Sequence, residues 1–292
     1  MNDAGIHPWL CTLYASLNSK QLSPLGEVLP DFPSEELQRN TTGLSSEAAL
    51  QQAHHFYQDV TDAIGKSGRR LCPESQVLDF GFGWGRISRV FMHDVRKENI
   101  YGVDVDPEFV ELTRRLFGSE NFNACPPFPP TAYPDASFDL IYAYSVFSHL
   151  SEEACRSWMV EFERLLKPGG MVAFTTRHES FFDYCAFAAT QPDATGYTAA
   201  LGQLFPDIDD ARRRYRAGEL VHATSQGVAG GGPRNSSFYG ETWIPEAYVR
   251  SGMGSGLRMI SASFDASRYD QACFVLQRID QASDASGHGS ES

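Results

Sequence analysis

The run Val77-Leu78-Asp79-Phe80-Gly81-Phe82-Gly83-Trp84-Gly85-Arg86 puts glycine at every second position between a short apolar strand and a helix. Glycine turns tightly and lets a ligand lie against backbone, and N–H groups at a helix start attract negative charge. The nicotinamide pattern G-x-G-x-x-G would need its last glycine at position 86, where Arg86 stands. Asp79, two residues before the first glycine, suits a ligand carrying an ammonium group and does not suit a pyrophosphate. A second acid, Asp104, closes the run Gly102-Val103-Asp104. That is about 20 residues beyond the loop, where a carboxylate accepts hydrogen bonds from both ribose hydroxyls of a nucleoside. The plainer readings are a tight turn for the glycines and a loop start for Asp104. Asp106, followed by Pro107, reads as a helix cap with proline in the first turn.

Two histidines stand where a proton could be taken. His149 ends the run Val146-Phe147-Ser148-His149-Leu150, and His178 directly follows a predicted strand. Imidazole is the side chain best tuned to remove a proton near neutral pH. Each also has a structural reading: His149 as a partner of the following helix, His178 as a solvated loop residue. His54 and His55 are adjacent on one helix, so at most one of them faces a site, and Tyr57 on the same helix is the better candidate to cover a bound cofactor. Trp84, Ser145 and Tyr239 are candidates to shape the pocket of a second substrate.

The elements that must position these residues alternate. Strands are predicted at Val77-Leu78, Ile100–Val103, Leu140–Tyr142 and Met171–Phe174. Between them run apolar helical stripes: Ile87, Val90 and Phe91; Val110, Leu112 and Leu116; Trp158, Phe162 and Leu165. Strand–helix alternation with short connections implies an α/β fold, a doubly wound and mostly parallel Rossmann-like sheet. Asp79, Asp104, Tyr144 and Thr176 then all fall at the carboxyl ends of strands, the edge where such sheets bind ligands. A helix is expected from Ser46 to about Ile64. Residues 1–45, rich in Pro and Ser, read as an irregular arm, and 46–178 as the ligand-binding core. After His178 the alternation breaks. Residues 179–240, with helical patches at Phe181–Ala189 and Asp209–Ala217 and a flexible Gly227–Gly232 tract, read as an inserted lid. Strands resume within 241–279, and 280–292 reads as a disordered tail.

The glycine run, Gly102-Val103-Asp104, Ser137-Phe138-Asp139-Leu140-Ile141 and Leu166-Lys167-Pro168-Gly169-Gly170 occur in this order. Together they resemble the successive motifs of class I S-adenosylmethionine-dependent methyltransferases. Asp79-Phe80-Gly81-Phe82-Gly83-Trp84-Gly85-Arg86, with Asn123, Pro126-Pro127 and Ser145–Leu150, is similar to a bacterial subgroup associated with sugar and glycoconjugate modification, in which cysteine usually stands at the position of Phe82. The resemblance covers about 50–177 well and 239–276 loosely. It implies S-adenosylmethionine as cofactor. Asp79, Gly81, Gly83 and Gly85 would lie around the methionine end, Asp104 and Val105 at the ribose, Asn123 and Ala124 at the adenine edge, and Tyr144 near the sulfonium. It implies a Rossmann-like sheet whose final strand is antiparallel.

Composition narrows the methyl acceptor. The net charge of −13 opposes binding to a phosphate backbone. Pro126-Pro127-Phe128 precedes the fourth strand, whereas amino-methyltransferases of DNA carry their proline motif after it. Tyr144-Ser145 and Thr176-Arg177-His178 stand where metal-dependent catechol enzymes place carboxylates, so no metal is expected. The six scattered cysteines form no C-x-x-C pair and fit reduced thiols. No signal peptide and no apolar run of about 20 residues is visible, so a cytoplasmic protein without membrane contact is expected. The expected function is methyl transfer to a hydroxyl or amine of a small molecule, with His149 or His178 as base. The alternatives are binding of the cofactor without transfer, and a nicotinamide oxidoreductase.

Overall fold

The computed structural model describes residues 6–228 and 230–279. Its sheet begins with five parallel strands in the order β3, β2, β1, β4, β5: β1 Val77–Phe80, β2 Ile100–Asp104, β3 Phe122–Ala124, β4 Phe138–Ala143 and β5 Leu166–Arg177. β9 (Gln271–Arg278) runs antiparallel to β5 along Met171–Arg177, and β8 (Leu257–Ser263) antiparallel to β9. This is the expected doubly wound sheet with an antiparallel closing strand. The chain winds outward from β1 in one direction through β2 and β3, then returns to β4 and β5 on the other side. The crevice this reversal leaves lies at the carboxyl ends of β1 and β4, the ligand position of such sheets.

Helices cover both faces, so all four residues of β1 are buried. On α3 (Ser46–Lys66), Leu50, Ala53, Phe56, Tyr57, Val60, Ala63 and Ile64 form a continuous buried stripe. On α6 (Glu152–Leu165) the predicted stripe of Trp158, Phe162 and Leu165 is buried, and Ser151 caps the helix by accepting from the Ala154 N–H. In α5 (Pro107–Phe117), Asp106 caps the Glu108 N–H, Pro107 opens the helix and Gly118 closes it in the left-handed region. The stripe at Ile87–Phe91 forms only the single turn α4, Ser88–Phe91.

The arm expected to be irregular holds two helices, α1 (Pro8–Ala15) and α2 (Glu35–Thr42). Tertiary packing overrides its polar, proline-rich composition. His7 and Pro8 start α1, and Trp9, Leu10 and Leu13 are buried, with Trp9 Nε1 donating to the Val90 carbonyl at 3.0 Å. Arg89 donates to the Pro30 and Asp31 carbonyls and lies over Phe32, which fastens the rest of the arm beside Trp84.

The segment after β5 forms α7 (Phe181–Ala189), α8 (Gly196–Gly202), α9 (Ile208–Arg216) and β6 (Val221–Ala223). These elements share an apolar core of Phe182, Cys185, Leu201, Leu204, Ala211 and Val221 with Trp243. Trp243 belongs to β7 (Glu241–Trp243), which pairs with β6 and meets the end of β5 at Arg177. β9 already occupies one edge of β5 at Arg177, so β7 continues the β4 side beyond the end of β4. A short helix, α10 (Glu246–Arg250), leads back to β8. Residues 280–292 lie outside the described residues. Among the described residues no helix is long and apolar enough to cross a membrane.

Candidate active site

A cavity of about 740 Å³ opens at the carboxyl ends of β1, β2, β4 and β5. That is the size of a site for a ligand of several hundred daltons. Gly81, Gly83, Trp84, Asp104, Val105, Tyr144, Ser145, His149 and Tyr239 all line it. Asn40 to Gly43, at the end of α2, reach its mouth. From the inserted segment come Tyr197, Gly227, Val228, Gly230, Arg234 and Phe238.

The glycine loop is shaped for close approach. Gly81 has φ +75°, its N–H donates to the Val103 carbonyl at 2.8 Å, and a Cβ there would stand 2.4 Å from Val146 Cγ2. Gly83, at φ +53°, donates to Asp104 Oδ2 at 3.0 Å, and Asp104 Oδ1 accepts from the Asp106 N–H at 2.9 Å. Each oxygen of Asp104 therefore keeps a free lone pair. Burial pushes the Asp104 carboxyl above the usual range, and the two backbone donors oppose that. Val105, Phe109, Cys125 and Pro127 form apolar walls beside it. Arg234 donates to Asp106 Oδ2 at 3.2 Å and ties the inserted segment to this turn.

The other end of the cavity is a buried polar network. His149 Nδ1 lies 2.8 Å from the Gly240 carbonyl and 3.2 Å from Glu241 Oε1, and its ring stacks on Tyr239 at 4.8 Å between centroids. Both neighbours of Nδ1 are acceptors, so Nδ1 carries the proton and Nε2 is the ring's free nitrogen. Glu241 is fully enclosed. It accepts from Arg177 Nε at 2.7 Å and from the Tyr197 hydroxyl at 2.6 Å. Burial alone would raise its carboxyl, but the His149 and Arg177 charges outweigh burial and hold it at about 2. Ser145 adopts φ +59°, a conformation uncommon outside glycine. Its N–H donates to Thr175 Oγ1 at 2.8 Å and its hydroxyl accepts from Gln271 at 2.9 Å.

Eight of the residues singled out in the sequence do not line the cavity: Asp79, Gly85, Asn123, Ala124, Tyr57, His178, His54 and Thr176. Asp79 is sealed beneath the loop, accepting from Ser88 at 2.7 Å, and burial pushes its carboxyl up to about 7. Gly85 serves packing, since a Cβ there would lie 2.4 Å from the Phe117 ring. Asn123 turns toward α5, accepting from Arg114 at 2.8 Å, and Ala124 borders an outer groove with Pro107 and Val110; Cys125, the next residue, reaches the cavity instead. Tyr57 donates to Asp94 at 2.5 Å on the far side of α3. It follows the cavity-lining Gln52 by five residues, about 140° around a helix. His178 alternates with the inward-pointing Arg177, so it faces outward, stacked on Phe264 and bonded to Ser180. His54 is buried among α1 and α3 side chains, away from the cavity, and Thr176 is held by the Thr242 carbonyl.

The sequence reading missed Arg86, Cys125, Arg177, Tyr197, Arg234 and Glu241. The available signal was Arg177, a charged residue soon after the apolar run Met171–Phe174, whose burial demands an acid partner elsewhere in the chain.

The fold and this crevice define a methyltransferase-type nucleotide site. Residues 78–174 match the family described as a methyltransferase domain. A solved S-adenosylmethionine-dependent methyltransferase from Clostridium acetobutylicum is 12% identical, with 78% of this chain and 92% of that chain covered and a TM-score of 0.51. An amino pentose methyltransferase from Micromonospora echinaspora is 15% identical, covering 85% of this chain and 97% of that one, with a TM-score of 0.50. At these identities the likeness is one of fold. Residues 78–174 thus form a methyltransferase domain, on a sheet of the same fold as these two structures.

Proposed function

We propose that the protein methylates a hydroxyl group of a small molecule, with His149 as the general base and without a metal ion. The observation that carries this reading is the fixed imidazole: Nδ1 is held between two acceptors, and Nε2 is left free at the cavity. A neutral hydroxyl attacks a sulfonium poorly unless its proton is taken as the bond forms, and a positioned base contributes about 10²–10⁴-fold. Bound S-adenosylmethionine supplies an electrophilic methyl group.

The chain's own residues fit that cofactor. The free lone pairs of Asp104 suit two ribose hydroxyls, and Val105, Phe109, Cys125 and Pro127 suit the apolar faces of an adenine. The backbone of Gly81 and Gly83 and the buried, unpartnered Tyr144 hydroxyl suit the amino-acid end and the sulfonium. Ser145, Phe238, Tyr239 and Gln271 would then hold the acceptor beside His149. Residues 179–240 act as its cover, with Arg234 on Asp106 as the fastening. The charge of −13 favours a small molecule over nucleic acid.

The test is methyl transfer from labelled cofactor to a panel of hydroxylated and aminated small molecules. On the best acceptor, His149→Ala should lower turnover by about 10²-fold or more, with S-adenosylhomocysteine affinity by calorimetry nearly intact. Wild-type turnover and an unchanged pH profile in the variant would sink the base assignment and favour an amine that is already neutral.

A further inference from the structure

Three arginines are buried among the described residues: Arg86, Arg89 and Arg177. A guanidinium stays charged in a protein, and a buried charge without a counter-charge is strongly destabilising. Of the three, only Arg177 is paired with carboxylates within 4.0 Å among the described residues. Arg177 is paired with Glu241 at 2.7 Å and lies 3.6 Å from Asp270. Arg89 donates to the Pro30 and Asp31 carbonyls at 3.1 Å each, with the Phe32 ring 4.0 Å away, and does not face the cavity.

Arg86 differs. It is 6% exposed and lines the cavity, with no carboxylate within 4.0 Å among the described residues. Its protein partners are neutral and both sit on Nη1: Gln52 Oε1 at 2.7 Å and the Ala49 carbonyl at 3.5 Å. Nε and Nη2 have no protein acceptor among the described residues. These two donors form one edge of the guanidinium, the pair that a carboxylate engages with two parallel bonds. The guanidinium sits 5.0 Å from the Tyr144 ring centroid, and the Tyr144 hydroxyl is buried and unpartnered. Asp79, the nearest acid along the chain, is committed to Ser88 beneath the loop.

We propose that Arg86 is the receptor for the α-carboxylate of the cofactor's methionine. The assignment rests on reading this cavity as the S-adenosylmethionine site. Asp104 stands at the other flank of the glycine loop, so Gly81 and Gly83 lie between a donor fork for a carboxylate and an acceptor for ribose. Gln52, on α3, holds the fork in place, so α3 contributes to recognising the amino-acid end. A nucleoside without that end would forgo the Arg86 contact.

Calorimetry with two ligands tests this: S-adenosylhomocysteine, which has the carboxylate, and 5′-methylthioadenosine, which lacks the whole amino-acid end. Arg86→Met keeps length and apolar bulk. It should weaken S-adenosylhomocysteine by about tenfold or more and leave 5′-methylthioadenosine within about twofold, while Arg86→Lys, a point charge, falls between. The ligand-free melting temperature of Arg86→Met should hold or rise, because an uncompensated buried charge has gone, while the rise on adding S-adenosylhomocysteine should shrink. Unchanged S-adenosylhomocysteine affinity in Arg86→Met would overturn the proposal. So would equal losses for both ligands, which would make Arg86 a strut between the loop and α3. Failure of the wild-type chain to bind either ligand would overturn the cofactor assignment, and this one with it.

Discussion

Replacing Glu241 by glutamine separates the two things its charge does. The carboxylate is buried between Arg177 Nε at 2.7 Å and His149 Nδ1 at 3.2 Å, with the Tyr197 hydroxyl as a third donor. Glutamine keeps the shape and one acceptor oxygen but removes the anion. Among the described residues Arg177 then retains only Asp270, at 3.6 Å and 61% exposed, as a counter-charge. Breaking a buried pair costs about 3–5 kcal/mol, and Asp270 puts the expected loss near the lower end. At about 2–4 °C per kcal/mol for a chain of this size, the melting temperature should fall by about 6–12 °C. The second effect is chemical. The Nδ1–H of His149 loses the charged acceptor 3.2 Å away that fixes which ring nitrogen is free. Turnover should therefore fall, while S-adenosylhomocysteine affinity stays within about twofold, because the Asp104 end of the cavity is untouched. Initial rates at saturating cofactor, well below the lowered melting temperature, and calorimetry on the same variant measure the split. Turnover equal to wild type in a variant shown to be folded would refute the coupling of Glu241 to His149, however much stability was lost.

Two further outcomes are expected. Asp104→Ala should weaken S-adenosylhomocysteine by at least tenfold, since hydrogen bonds to a charged acceptor contribute about 1.5–3 kcal/mol each; an unchanged calorimetric constant in a variant with native circular dichroism would remove Asp104 from the ribose site. His54, with Nε2 buried and unpartnered, is held by burial, and then by the His7, His55, His93 and Arg268 charges, at about 4 against 6.5 when free. The unfolded chain takes up that proton first, so its contribution is intact above about pH 6.5 and is lost as pH falls toward 4, on the order of 3 kcal/mol. His54→Phe should flatten the acid limb of melting temperature against pH, and an identical limb would place the titration elsewhere.

How much could be read from the sequence depended on how locally each feature is specified. The glycine loop, the Asp106-Pro107 start of α5 and the stripe Trp158-Phe162-Leu165 are written within a few residues, because turns, caps and amphipathic faces are short-range. The α/β alternation followed from them. The arm was misjudged for the complementary reason. Pro8 opens α1 instead of breaking it, and the helix is held by Trp9 reaching Val90, a contact spanning 81 residues. No window of the sequence contains both ends of that bond. Tyr57 and Asn123 failed on orientation: helical and strand phase decide which side of an element a residue presents, and a motif position alone does not carry that phase.

The polar end was the least legible part of the cavity, and its construction explains why. Its imidazole lies after β4, its carboxylate opens β7, its arginine ends β5 and its tyrosine comes from α8, so the network joins four separate stretches of chain. Each residue alone has an ordinary explanation, and only the buried charge balance makes them one unit. Arg177 cannot be enclosed without Glu241, and Glu241 in turn fixes which nitrogen of His149 is free. β7 supplies Glu241 and also lends Trp243 to the core of the inserted segment. The inserted segment and the residue that fixes the His149 imidazole therefore share one strand. A cover that opened by swinging β6 and α8 away would remove the Tyr197 donor from Glu241 but leave Arg177 in place. The carboxylate would stay ionised while losing one competitor for Oε1, strengthening its hold on His149. The open state would thus keep Nδ1 of His149 fixed, and closure would act by excluding water from the cavity rather than by turning the imidazole.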